Sequence, residues 1–410
     1  MRGAGSKIVV VAWDLAHNAA SCAFILADLL RREHDVEIIG PTFLGRDVWE
    51  PIRNADIPIR VFPGAPLPGF VQEAERFVGS VEADVVVACK PRFPSLLLSM
   101  LIKDQCDAPV ILHIDDLELG LVGAGDGISL DELERRRGWP DFANPAGRSW
   151  VSACECLIAD ADAITVSGER LRRRYGGVVV GQPRDEIRFD PRRLDRRGVR
   201  AEFGYSDDDR VVLFLGSPRA HKGIVELATA IAGIDDPRIK LCVIGSFNDA
   251  RLRGEIERLD PTRIQLHDYR PIAEVPRLLM IADLVCLPQD GAADFVTYQT
   301  PMKLTEALAM GIPVLARETP ALSRYVQRGL LATIGDMPLG DRICSMFDEP
   351  ARLREMTQRG RAYFLSHLSY NAALRAFDQV IAALPSKVGE VPSSWERACE
   401  LASSAMSRPR

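Results

Sequence analysis

Apolar residues along this chain come in short unbroken runs, and stretches with helical periodicity separate most of them. Lys7 to Trp13 (KIVVVAW) opens the series, and a loop, DLAHNAAS, leads to a helix from about Ala19 to Arg32. Further strands are predicted at His34 to Gly40, Ile59 to Phe62, Asp84 to Cys89, Pro109 to Ile114, Ala163 to Val166 and Gly177 to Val180. Helices are predicted at Val71 to Ser80, Pro94 to Gln105 and Ser167 to Tyr175. Strands that are apolar throughout and alternate with helices imply a parallel sheet covered on both faces.

The pattern breaks from Gly181 to Gly204, where Pro, Gly, Arg and Asp dominate and no apolar period survives. That composition reads as an interdomain linker. Its arginines alternate with acids, unlike a nucleic-acid arm. A second α/β series follows, with strands at Val211 to Leu215, Ile239 to Gly245, Ile264 to Leu266, Leu284 to Pro288 and Pro313 to Ala316. Helices are expected at Ile224 to Ile234, Asp249 to Leu259, Ile272 to Ala282 and from Pro301 to the stop at Gly311. Pro320 to Val326, Pro338 to Phe347 and Pro350 to Ser366 each open with a proline at a helix start, and Ser369 to Leu384 is amphipathic behind a serine. From Pro385 on the chain reads as a polar, frayed tail.

Length and charge narrow the class. At 410 residues two domains are expected. A net charge of −6 gives no global reason for nucleic acid. No apolar run approaches the roughly 20 residues that span a bilayer, and the N-terminus does not read as a signal peptide. The nine cysteines are scattered and odd in number, which reads as reduced thiols in a cytoplasmic protein.

Four places carry candidate chemistry. The loop GSPRAHKG puts Arg219 and Lys222 three apart between a strand end at Gly216 and a helix start at Gly223. Two cations beside a helix N-terminus suit a multiply charged anion; the alternative is an exposed loop with solvated cations. Near Pro301 a second helix start, carrying Lys303 and Glu306, also opens at the carboxyl end of a strand. HIDDLE (His113 to Glu118) ends a buried strand in three carboxylates, which can be cleft residues, helix caps or part of a metal site. Lys90, at another strand end, is a cleft cation or a solvated one. Neither G-rich pattern is a dinucleotide fingerprint: no G-x-G-x-x-G follows the first strand, and Gly123, Gly125 and Gly127 follow an acidic loop and read as linker. Leu119 to Arg148 is a surface excursion or a substrate-facing lid.

Together these residues resemble the retaining GT-B glycosyltransferases of family four, over nearly the whole chain and most strongly from Val211 to Ala316. The resemblance rests on G-x-P-R-x-x-K-G at Gly216 to Gly223, LCVIGSF at Leu241 to Phe247, ADLVCLP at Ala282 to Pro288 and P-x-K-x-x-E-A-x-A-x-G-x-P-V at Pro301 to Val314. It implies an α/β fold of two Rossmann-like parallel-sheet domains facing across a cleft. The implied divisions are an acceptor-binding domain over 1–190, a nucleotide-sugar-binding domain over 200–366, a returning crossover helix over 367–385 and a polar tail over 386–410.

By resemblance Arg219 and Lys222 hold the diphosphate and stabilise the leaving group, with Asp115 as the third catalytic candidate. Gly216, Ser217, Thr300, Met302 and Lys303 complete the donor site, and Glu306 takes the ribose. Asn18, Lys90, His113 and Asp116 are acceptor-side candidates. The implied reaction moves a sugar from a nucleotide-diphosphate sugar, a co-substrate rather than a cofactor, to a hydroxyl or amine of a small-molecule, lipid or glycan acceptor. No metal is required. Departures are visible too. Tyr298 stands where the E-x7-E pattern has its first glutamate, Pro301 has no N–H to give a phosphate, and Asp115 aligns with a family histidine. They keep open a pseudo-glycosyltransferase, a sugar-nucleotide epimerase, or a partner protein that binds the nucleotide sugar without turnover.

Overall fold

The computed structural model describes residues 5–247, 249–289, 294–385 and 388–405. Residues 290–293, within the Leu284 to Ala316 region, and residues 386–387 and 406–410 lie outside the described residues. The chain divides into two units: Met1–Gly181 with Ala373–Arg410, and Gln182–Ala372.

The first unit holds a seven-stranded sheet of β1 (Lys7–Val11), β2 (Asp35–Thr42), β3 (Ile59–Pro63), β4 (Val85–Cys89), β5 (Val110–Ile114), β6 (Ala163–Val166) and β7 (Val178–Val179). Their order is β3-β2-β1-β4-β5-β6-β7, and every pairing is parallel. β4 and β5 are buried along their whole length, which is why they read as continuous apolar runs.

The second unit repeats the plan with β8 (Arg210–Leu215), β9 (Ile239–Ile244), β10 (Ile264–His267), β11 (Leu284–Leu287), β12 (Val314–Ala316) and β13 (Ala332–Thr333). The order is β10-β9-β8-β11-β12-β13, again all parallel. Alternate residues serve the two faces. Leu213, Cys242, Val285 and Val314 join one core with the helices Met302–Met310 and Pro350–His367. Val212, Phe214, Leu241, Val243, Cys286 and Leu315 join the other, with Ile224–Ala232 and Leu339–Phe347.

Both sheets reverse their winding beside the first strand of the unit, between β1 and β4 and between β8 and β11. At such a switch point the flanking loops leave in opposite directions and open a crevice at the carboxyl ends of the strands. The Trp13–Ala19 loop and Lys90 flank it in the first unit. Gly216–Gly223, Pro288 and the helix start at Pro301 flank it in the second.

Two expectations need correction. The stretch from Gly181 to Gly204 is no loose linker: from Gln182 it belongs to the second unit, and Arg196–Glu202 is a helix capped by Asp195. Apolar period is missing because arginines do the anchoring. Arg200, 3% exposed, donates to the Ile281, Ser206 and Asp209 carbonyls and to Asp283, and Arg196 reaches the Met280 and Ala282 carbonyls.

Nor do the described residues 388–405 form a frayed tail. Ser393–Ser403 is a helix of the first unit whose Trp395, Ala398 and Ala402, spaced i, i+3, i+7, form a buried face with Leu401. It packs on Gly69–Val78, Phe93–Cys106 and Leu130–Arg135, with Trp395 stacked near Phe93. Leu119 to Arg148 likewise contains short helices at Glu118–Leu121 and Leu130–Arg135. Among the described residues no helix is long and apolar enough to cross a membrane.

Candidate functional site

In the second unit the crevice is built from glycines and cations. Gly216 ends β8 with φ +112°, a conformation that side chains rarely adopt. A Cβ there would lie 3.0 Å from both Cε and Nζ of Lys303, so the missing side chain makes room for the lysine. Gly223, at φ +71°, turns the chain into Ile224–Ala232; a Cβ there would sit 2.7 Å from the Pro288 carbonyl oxygen. The loop after β8 is thereby pressed against the end of β11. These are backbone reasons for glycine at two positions that the sequence pattern marked only by motif.

Lys222 is half-buried and donates to the Ser217 carbonyl at 3.1 Å. Burial, then the positive charges of Lys303 and Arg219, pull its pKa down to about 7. Burial also lowers Lys303, against a smaller opposing pull from Glu306. Burial, Lys222 and Arg219 lower His221, whose ring meets Phe295 edge-on. Arg219 itself is exposed. Like charges held this close raise the energy of the empty site and favour an anion that would neutralise them.

Helix Met302–Met310 starts after Thr300, which is buried, and Pro301, which is extended. Met302 opens the helix; the Leu304 N–H donates to the Pro301 carbonyl at 3.0 Å, which leaves the Met302 and Lys303 amides as the helix-start donors. Gly311, left-handed at φ 63°, ends it. Lys303 and Glu306 are i, i+3 and share a face, while Leu304, Ala307 and Leu308 bury the other. Tyr298 follows the short 3-10 turn Asp294–Thr297 and is partly exposed.

Glu306 has a partner that sequence reasoning missed. Arg184 donates to its Oε1 from Nε at 3.1 Å and from Nη2 at 2.7 Å. The two residues are 122 positions apart, and Arg184 lies in a stretch whose composition resembles a linker. No local signal could have found it.

In the first unit the crevice is a buried charge cluster. Lys90 Nζ lies 2.6 Å from Asp115 Oδ1, 3.0 Å from Asp116 Oδ2 and 3.0 Å from Glu118 Oε1. Arg92 binds the other Glu118 oxygen, and its guanidinium lies 4.4 Å from the Trp13 ring centroid. Lys90 is therefore not a solvated strand end; only 5% of it is exposed. It holds φ +70°, a costly conformation for a lysine, fixed by its N–H to the His113 carbonyl and by Ser95 on its own carbonyl.

Burial works against the Lys90 charge, but the three carboxylates more than offset it and raise its pKa well above the usual range. Burial raises the carboxyl of Asp116. Burial also acts on Glu118, yet Lys90 and Arg92 prevail and lower it. Asp115, Asp116 and Glu118 could together offer oxygens to a cation, all within 4.8 Å, but the Lys90 ammonium already sits among them. His113 is buried with Nδ1 3.0 Å from Thr165 Oγ1. Asn18 is exposed, and its carbonyl accepts from Ser21 Oγ. Asp14 and His17 pair at 3.3 Å in the same loop.

The sheet order of both units and the likeness to solved structures agree. HepE of Anabaena, crystallised with UDP, superposes with a TM-score of 0.66 at 16% identity, over 92% of this chain and 100% of that one. Sucrose-phosphate synthase of Thermosynechococcus elongatus gives 0.64 at 14% identity over 92% and 100%. The fold is GT-B. Residues 195–362, all within the second unit of this GT-B chain, match the family model described as glycosyl transferases group 1. A curated relative, D-inositol 3-phosphate glycosyltransferase of Segniliparus rotundus, is 28% identical over 181 residues. That match spans 41% of this chain and 39% of the relative.

Proposed function

We propose that this protein is a retaining glycosyltransferase of the family-four kind, which moves a sugar from a nucleotide-diphosphate sugar to an acceptor hydroxyl or amine. The observation that carries the reading is the convergence of Arg219, Lys222 and Lys303 on the switch point between β8 and β11. The group 1 family match over the same segment and the UDP seen in HepE support a diphosphate there.

In the proposed reaction the bond from the anomeric carbon to the phosphate oxygen breaks, and the acceptor oxygen or nitrogen bonds to that carbon on the same face. The acceptor proton goes to the departing phosphate. Negative charge grows on the diphosphate as the sugar becomes cationic, so fixed cations on the phosphate side stabilise the transition state more than the ground state. Arg219 and Lys222 take that role without a metal ion. Glu306 Oε2, which Arg184 leaves unengaged, accepts from the ribose. The acceptor is assigned to the first unit, with Asn18, Lys90, His113, Asp115 and Asp116 at its crevice. There Asp115 and Asp116 act through the charge cluster that Lys90 organises.

Incubation of the purified protein with UDP-, GDP- and ADP-sugars tests this, with water as a slow acceptor and the released sugar followed by proton NMR before mutarotation. The expected first product has the donor's anomeric configuration. The opposite anomer would rule out retention. Tyr298, in place of the carboxylate that contacts the sugar in the family pattern, favours a second reading: a partner protein that binds the nucleotide sugar without turnover. That reading requires nucleoside diphosphate to bind while no donor is consumed, even with acceptor present.

A further inference from the structure

We infer that Arg184 is a positioning residue for the ribose-binding carboxylate, pinning Glu306 by one oxygen so that the other is presented to the nucleotide. The inference rests on the proposed donor site and adds a residue to it that no motif contains. Arg184 is 6% exposed, in a buried run with Gln182 and Asp185. An arginine facing a carboxylate ordinarily pairs its two N–H groups with the two oxygens. Here both Nε and Nη2 converge on Oε1 of Glu306, at 3.1 and 2.7 Å, and Nη1 is spent on the Pro183 carbonyl at 2.9 Å. Among the described residues no donor is bonded to Oε2.

The arginine is itself held on both sides of its backbone. Its N–H donates to the Leu368 carbonyl at 3.0 Å, and the Tyr370 N–H donates to its carbonyl at 2.9 Å, which forms an isolated parallel bridge to Ser369. The second unit begins at Gln182 and ends at Ala372, so this bridge ties its two ends together beside Glu306. A side chain anchored at three N–H groups and two backbone bonds has little freedom left to lose when a ligand arrives. The pairing also has an electrostatic purpose. An unpaired carboxylate beside a diphosphate would repel it; the guanidinium cancels that charge while leaving an acceptor oxygen in place.

A thermodynamic cycle on the full chain separates positioning from mere support of the fold. Calorimetry first identifies which of UDP, GDP and ADP binds the wild-type protein. The affinities of that nucleotide and of its 2′,3′-dideoxy analogue are then measured for wild type, Arg184→Met, Arg184→Lys and Glu306→Gln. Arg184→Met is expected to weaken the ribonucleotide by about 10- to 100-fold and the dideoxy analogue by less than about twofold. Arg184→Lys, which keeps the charge but loses the paired N–H geometry, is expected to fall between. Glu306→Gln should show the same dependence on the ribose hydroxyls.

Equal losses for both nucleotides would assign Arg184 a structural role and overturn the inference, as would unchanged or tighter ribonucleotide binding. If Arg184→Met does not fold, Arg184→Lys carries the same comparison. Wild-type protein that binds none of the three nucleotides would instead remove the donor site itself, and the inference with it.

Discussion

Lys222→Ala is expected to lower turnover by about 10²- to 10³-fold while weakening nucleotide-sugar binding by about tenfold or less. The asymmetry follows from where charge develops. A bound nucleotide sugar already carries a diphosphate, but the leaving diphosphate carries one charge more, and Lys222 meets it in a crevice partly closed to water. Steady-state kinetics with the cognate donor check the prediction. Equal losses in binding and turnover would mean that Lys222 only holds the substrate.

The same lysine sets a pH dependence. With its pKa depressed to about 7 by burial and by Lys303 and Arg219, Lys222 is about half protonated at neutrality in the empty site. A diphosphate brings the opposite charge and raises that pKa again. The complex then holds more protons than the free protein between the two pKa values. Affinity is therefore full below about pH 7 and falls as pH rises above it, by at most about tenfold per unit, until the pKa of the complex is reached. In Lys222→Ala this slope should vanish.

Lys90→Met is expected to destabilise the protein by about 3–5 kcal/mol at pH 7, because it leaves Asp115, Asp116 and Glu118 buried without the cation among them. Arg92 remains on Glu118 and cannot neutralise three carboxylates. The sign with pH is the check. The Asp116 carboxyl, which burial already raises with Lys90 in place, is raised further once that cation is gone. The folded state then binds more protons than the unfolded one. The loss should be largest near neutrality and shrink as pH falls toward 5 and the carboxylates take up protons. Urea unfolding of wild type and variant at pH 7 and pH 5 measures both values. A loss below about 1 kcal/mol, or one that grows on acidification, would show that the cluster is not held by Lys90.

What could be read in the chain, and what could not, divides along the range of the interaction. Strands such as β4, β5 and β8 were visible because burial on both faces leaves uninterrupted apolar runs. The loop from Gly216 to Gly223 and the turn around Pro301 were visible because a short motif carries its own geometry. Arg184 was not, since its partner Glu306 is distant in sequence and its bridge to Ser369 is more distant still. Arg200 shows the same limit: a buried arginine satisfied by carbonyls has no hydrophobic period to reveal it. The helix Ser393–Ser403 was hidden differently. Its apolar face rests on one tryptophan, two alanines and a leucine, too thin a stripe to outweigh the charges around it. Lys90 was marked as a candidate, but its burial depends on carboxylates from the next strand end.

The most direct test of the donor site is calorimetry of nucleoside diphosphate binding at pH 8 in two buffers of different ionisation enthalpy, which counts protons exchanged on binding. For wild type the expected result is binding of one of UDP, GDP or ADP with uptake approaching one proton, and for Lys222→Ala weaker binding with none. Absence of binding by all three nucleotides, or binding with the same proton count in both proteins, would contradict a diphosphate site built on Arg219, Lys222 and Lys303.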